Sequence, residues 1–258
     1  MKLKGFSDSV LAGGVILGAA ALLLGVATLT NRSDLSTATL FLAGVGCFLG
    51  GIFMLTFAKE EPPHPGAVAL LGRAESLNIS RMCSDLGVRG DAWIIPGAPG
   101  GDIWQFIPVT DKVPAEPLQD FSFQVRADTP GVVLIPAGKP LLDMLRQDHN
   151  MVLPENEAEL PAVIKEVCED ILEIANDASA GREGDQWVIT LKGYRLYEGC
   201  RYIAAVSPKC CTMNPCGICS LTGCIFTAAL GRPHQITRVE LLEKERGVRI
   251  FCLTGAAP

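Results

Sequence analysis

Residues 9–30, SVLAGGVILGAAALLLGVATLT, and residues 35–58, LSTATLFLAGVGCFLGGIFMLTFA, contain no Asp, Glu, Lys or Arg. A helix rises about 1.5 Å per residue, so roughly 20 apolar residues cross a hydrocarbon core about 30 Å thick. Both runs are long enough, and the chain between them is so short that the two helices must lie side by side and antiparallel. A secretory signal core holds only about 7–15 apolar residues before its cleavage site. The first run exceeds that and a second follows at once. The expectation is therefore a two-helix transmembrane hairpin over residues 1–58, seated in the lipid bilayer of the cell membrane. No comparable apolar run is expected beyond Lys59.

Orientation follows from the basic residues. Lys2 and Lys4 precede the first run, Lys59 and Arg73 follow the second, and Arg32 stands alone in the turn. The positive-inside bias places both termini, and the soluble domain, in the cytoplasm. Gly14-x-x-x-Gly18 and Gly46-x-x-x-Gly50 have the small-residue spacing that lets membrane helices approach closely. They are expected to pack the two helices on each other, or on a second copy or another membrane protein. Neither run holds an ionisable residue, which a proton relay or ion pathway would need. The membrane part reads as an anchor.

Residues 59–66, KEEPPHPG, read as a stiff linker, because proline lacks an amide hydrogen and restricts the residue before it. Residues 60–258 carry 26 acidic and 18 basic side chains, a formal charge of −8. Phosphate contact is made by Lys and Arg, so nucleic acid is not an expected partner. Residues 67–258 form the expected soluble domain, a mixed α/β (α+β) unit. Helices are expected over residues 67–79, 140–145, 159–178, 194–205 and 215–230, the last ended by Gly231. Strands are expected over 92–95, 103–109, 121–126, 132–136 and 187–191. Residues 235–242 and 248–253 read as a closing hairpin.

Seven of the ten cysteines fall between Cys200 and Cys252. The densest run is Cys210-Cys211-Thr212-Met213-Asn214-Pro215-Cys216-Gly217-Ile218-Cys219, with Cys224 close behind. In a reducing compartment clustered thiols bind metal or do redox chemistry more readily than they form stable disulfides. Three arrangements compete. Cys211, Cys216 and Cys219, completed by Cys210, Cys224 or Cys200, suit a tetrahedral zinc site. The spacing Cys211-x4-Cys216-x2-Cys219, with Cys252 as a distant fourth ligand, matches a plant-type iron–sulfur cluster. Cys216 and Cys219 also form a dithiol at a helix N-terminus, where the helix dipole favours the thiolate. Against all three stands simple packing, which suits Cys47, Cys168 and Cys252. His234 is a further ligand candidate, brought to the thiols only if the fold does so.

Other chemistry is sparse. Residues 97–101, GAPGG, lack both the Walker lysine and the dinucleotide fingerprint. The carboxylates read as solvated faces, so no catalytic residue is assigned.

The order Cys200, Cys210-Cys211, Pro215-Cys216-Gly217-Ile218-Cys219-Ser220, then Ala229-Leu230-Gly231-Arg232-Pro233 and a hairpin closing on Phe251-Cys252 resembles the end of the 4-vinyl-reductase-type small-molecule-binding domains. The chain as a whole is similar to archaeal two-span membrane proteins of unassigned function that carry a Pro-Cys-x-x-Cys helix. The first resemblance implies a ligand- or metal-binding sensor rather than an enzyme. The sequence-level expectation is thus a membrane-anchored cytoplasmic sensor or ligand-binding module with a cysteine metal site. The alternatives are a thiol redox protein using Cys216 and Cys219, and a structural subunit of a membrane complex.

Overall fold

The computed structural model describes residues 8–29, 35–57, 64–97, 102–110, 112, 122–124, 129–154 and 156–255. The turn with Arg32, most of the 59–66 linker and half of the strand expected at 121–126 lie outside these residues. So does most of the GAPGG turn. The chain divides into two compact units, Met1–Pro63 and His64–Pro258.

In the first unit, α1 (Asp8–Leu29) and α2 (Leu35–Thr56) form an antiparallel hairpin. Leu17 lies against Gly51 and Leu24 against Gly44, so close that a Cβ at either glycine would fall within 3 Å of the leucine. Gly13 faces Leu55 in the same seam. Ala20 and Ala27 are buried. The glycines with four-residue spacing do not pack α1 and α2 on each other. A Cβ at Gly14, Gly18, Gly46 or Gly50 would meet nothing within 4 Å. Gly14 sits one residue, about 100° of helix rotation, from the seam glycine Gly13, which turns the Gly14–Gly18 face outward. Large apolar side chains, among them Val15, Leu22, Leu42 and Phe53, are exposed.

The second unit is built on one eight-stranded antiparallel sheet. Its strands are β1 (Trp93–Pro96), β2 (Ile103–Pro108), β3 (Phe123–Gln124), β4 (Gly131–Leu134), β5 (Asp177–Glu183), β6 (Gln186–Lys192), β7 (His234–Leu242) and β8 (Gly247–Thr254). Their order across the sheet is β3-β4-β2-β1-β7-β8-β6-β5. Two halves, each made of strands near in sequence, are joined where β1 pairs with β7 at Trp93↔Gln235 and Ile94↔His234. The helices are α3 (Pro65–Leu70), α4 (Arg73–Asp85), α5 (Lys139–Asp148), α6 (Leu160–Lys165), α7 (Tyr197–Val206), α8 (Cys210–Met213) and α9 (Gly217–Leu230).

Helix α9 is the hub of the core. Every residue from Ile218 to Thr227 is buried, and Leu221, Ile225 and Phe226 pack with Ile94, Ile189, Ile236 and Ile250 of the sheet and Leu142 and Leu145 of α5. It ends as expected at Gly231, which takes the left-handed conformation (φ 62°) that glycine adopts without strain. By length and hydropathy, residues Cys210–Leu230 also qualify as a membrane span, which the sequence reading did not anticipate. Burial separates it from the first two: 72% of its apolar window is buried within the protein, against 17% and 11% for α1 and α2.

Three other boundaries differ from expectation. The helix expected over 67–79 is broken at Gly72 (φ 74°), so that α4 starts afresh at Arg73. The helix expected over 159–178 is α6 followed by a π-type stretch, Glu166–Ile171, and stops there. The polar segment after it becomes the edge strand β5, paired with β6 from Asp177↔Lys192 to Glu183↔Gln186.

Candidate functional site

Pro215 and Cys216 bring the chain into α9. Cys216 is its N-cap, in extended conformation, and its carbonyl accepts the first helical bond from Ser220 N at 2.8 Å. One turn on, Cys219 lies on the same helix face. Helix α7 supplies Cys200, and the short α8 supplies Cys210 and Cys211. These five cysteines, together with Arg73, Ser76, Ile203, Asn214 and Val239, line one cavity of about 10 Å³. That is room for about one water molecule.

Arg73, unmarked in the sequence reading as a site residue, is the charge at the centre. It is 8% exposed, and its Nε donates to the Ala69 carbonyl at 2.7 Å. Burial is the largest influence and opposes its charge, but the Cys216 sulfur, with Cys200 and Tyr194, together outweigh it and raise the pKa. No carboxylate among the described residues shares the guanidinium. Gly199 makes room for it: a Cβ there would collide with the Ala69 carbonyl and the guanidinium nitrogens.

The sulfurs divide their charge unequally. Cys216 is held well below the usual thiol range by the Cys200 and Cys219 thiols donating to it, with Arg73 and the Cys219 amide reinforcing the effect against burial. Cys200 and Cys219 are correspondingly raised, first because each gives its hydrogen bond to Cys216 and second because each is buried. Burial pushes Cys211 up to about 12. Cys210 is occupied by α4: it accepts from Ser80 Oγ at 3.1 Å and donates to the Ser76 carbonyl at 3.4 Å. Asn214 Oδ1 accepts from Gln105 Nε2 at 3.0 Å, which turns its amide N–H groups away from Gln105. Tyr194 is buried beside the same sulfurs.

The remaining candidates lie elsewhere. Cys224 follows Cys219 by five residues, about 140° around the helix, and its neighbours are Ser220 and the α5 side chains Asp143, Lys139 and Arg146. Cys252 is in the sheet core beside Gln235. His234 is fully buried, with Nδ1 at 2.9 Å from the Arg232 carbonyl and 3.2 Å from Thr227 Oγ1. His64 caps α3 by accepting from Gly66 N at 3.2 Å. Among the described residues, no group of three or more His, Cys, Asp or Glu side chains is arranged so that it could hold a metal ion.

No curated protein and no solved structure matches the chain. A family model does match, over residues 10–195, which takes in the hairpin, Arg73 and Tyr194 and stops short of Cys200. With more than half its length covered, the chain belongs to the family described as Domain of unknown function (DUF7982).

Proposed function

We propose that the chain is a two-span membrane protein whose 64–258 unit is a thiol redox module, with Cys216 as the reacting thiolate and Cys219 and Cys200 as the thiols that pair with it. One observation carries this reading: a buried arginine with no carboxylate partner among the described residues shares a small cavity with the Cys216 sulfur. An unpaired buried charge costs several kcal/mol, and a thiolate is the negative partner within reach of Arg73. The thiolate is also the nucleophilic form of cysteine. Two further thiols, Cys200 and Cys219, line the same cavity, so oxidation has a ready intramolecular product. Reduced and disulfide-bonded forms would be the two states through which such a module senses its surroundings. The cavity at the thiols is too small for an organic ligand, so a ligand-binding role there is disfavoured.

The membrane assignment rests on the exposed apolar surfaces of α1 and α2. Cys210–Leu230 serves in this reading as a core helix, and the basic residues near the hairpin put the module in the cytoplasm. The outward faces of Gly14, Gly18, Gly46 and Gly50 are available to a second copy or another membrane protein. Alkaline carbonate washing should leave the protein in the membrane pellet; release into the wash would remove the anchor.

The site is tested on anaerobically purified, reduced protein by thiolate ultraviolet absorbance together with elemental analysis. One thiolate per chain at neutral pH, lost in Cys216→Ser, and no stoichiometric metal is the expected result. Stoichiometric zinc would overturn the redox reading in favour of a closed cysteine–zinc site, and iron with visible absorbance would do so in favour of a cluster.

A further inference from the structure

We infer that the oxidant of this site is a small hydroperoxide, and that Cys200 of α7 competes with Cys219 as the thiol that resolves the oxidised Cys216. The inference rests on the reading of Cys216 as the reacting sulfur and adds its substrate class and a second partner. Three observations carry it.

The first is size. A cavity of about 10 Å³ holds about one water molecule, so hydrogen peroxide, with two heavy atoms, asks little widening, whereas a disulfide substrate, a peptide or an organic peroxide with a bulky substituent asks far more. The thiol and a solvent-sized oxidant can still meet, because Cys216 and Cys211 are only partly buried.

The second is the character of the wall. Arg73 is more than nine-tenths buried and lines the cavity with charged N–H donors that no carboxylate among the described residues occupies. Asn214 and Ser76 line it too. Donors of this kind stabilise the negative charge that grows on a departing hydroxide.

The third is the pair of thiols that share the cavity with Cys216. Cys219, from within α9, and Cys200, from α7, line the same cavity as Cys216. The sequence spacing suggests only the first of these.

The chemistry balances without another reactant. The Cys216 thiolate attacks the terminal peroxide oxygen, an S–O bond forms and the O–O bond breaks; the departing hydroxide, or the alkoxide of an alkyl hydroperoxide, takes a proton from solvent and leaves as water or an alcohol. Sulfur loses two electrons and the peroxide gains them. The Cys200 or Cys219 thiol then attacks the sulfenic sulfur, an S–S bond forms, and the second hydroxide leaves as water with the proton that the thiol gives up.

The test uses full-length reduced protein in detergent, treated anaerobically with hydrogen peroxide or with cumene hydroperoxide, and mapped by peptide mass spectrometry. Hydrogen peroxide should yield Cys216–Cys219 and Cys216–Cys200 disulfides. Cumene hydroperoxide should react at least about tenfold more slowly, the order of discrimination a tight pocket gives. In the Cys200→Ser/Cys219→Ser double variant dimedone should trap a sulfenic acid on Cys216. Should that variant fold poorly, the wild-type disulfide map alone decides. First oxidation at any other cysteine, equal rates with both peroxides, or no Cys200 linkage would overturn the inference. Thiolate absorbance separates the two readings. A Cys216 thiolate that is present but inert to peroxide sinks only this inference, whereas its absence sinks the redox reading as well.

Discussion

Arg73 and Cys216 line the same small cavity, and no carboxylate of the described residues pairs with the guanidinium there. The two side chains come from distant segments of the 64–258 unit, one from the first turn of α4 and the other from the N-cap of α9. Arg73 is buried and Cys216 half-buried, so opposite charges on the two would offset each other and make the pair a structural element as well as the centre of the site.

Replacing Arg73 by Met keeps most of the side-chain stem and removes the charge. Cys216 should then titrate about one to three pH units higher, the effect of losing a nearby opposite charge. Arg73→Lys should fall between, since an ammonium restores the charge without the planar fork. A pH titration of thiolate absorbance measures both. An unchanged titration in Arg73→Met would show that the arginine does not govern the sulfur.

Gly199 is the support of that arginine. Gly199→Ala puts a methyl group where the guanidinium lies. The variant should lose about 1–3 kcal/mol of stability, as overpacked cores do. It should also raise the Cys216 titration toward that of Arg73→Met, which a purely global loss of stability would not do. Urea unfolding and the same absorbance titration, run side by side, check the two effects separately.

His234 makes a pH-dependent contribution to stability. Burial lowers its pKa from 6.5 to about 4. The folded value lies below the unfolded one, so the stabilisation is complete above about pH 6.5 and is lost as the pH falls toward 4. The difference corresponds to about 3 kcal/mol at most. In His234→Gln the drop in urea midpoint between pH 7 and pH 4.5 should shrink relative to wild type, since the other acidic groups titrate alike in both. Equal drops would remove His234 from the account.

The hairpin glycines should split into two classes. Gly51→Leu and Gly44→Leu drive a branched side chain into Leu17 or Leu24 and should lower the thermal midpoint of α1 and α2 in detergent. Gly14→Leu and Gly18→Leu meet open space and should leave it within a degree or so of wild type, or raise it slightly through better helix propensity. Circular dichroism melts of the full chain decide between them. A large loss in the second class would mean that those faces are already covered by a partner.

How much could be read in advance depended on whether the signal was local. The two apolar helices, the Gly231 stop, the closing hairpin of β7 and β8 and strands such as β2 and β6 were legible, because each is set by a run or an alternation within one segment. The edge strand β5 was not. Asp177-Ala178-Ser179-Ala180-Gly181-Arg182-Glu183 has no apolar alternation and becomes a strand by pairing with β6, whose own pattern is strong. The break at Gly72 was hidden for a similar reason: glycine permits the left-handed turn, but the packing that uses it lies elsewhere in the chain.

The cysteine cluster divides along the same line. The sequence by itself determined that Cys216 and Cys219 would share a helix face at its N-terminus, since three residues along a helix return to nearly the same side, and it named Cys200, Cys210 and Cys211 as candidates. Only the tertiary structure decided which of them meet. It turned Cys224 toward α5, left Cys252 and His234 in the core of the sheet, and brought Arg73 onto the Cys216 sulfur. Helical periodicity is a property of one segment, whereas the pairing of a buried charge is settled by which segments the core presses together.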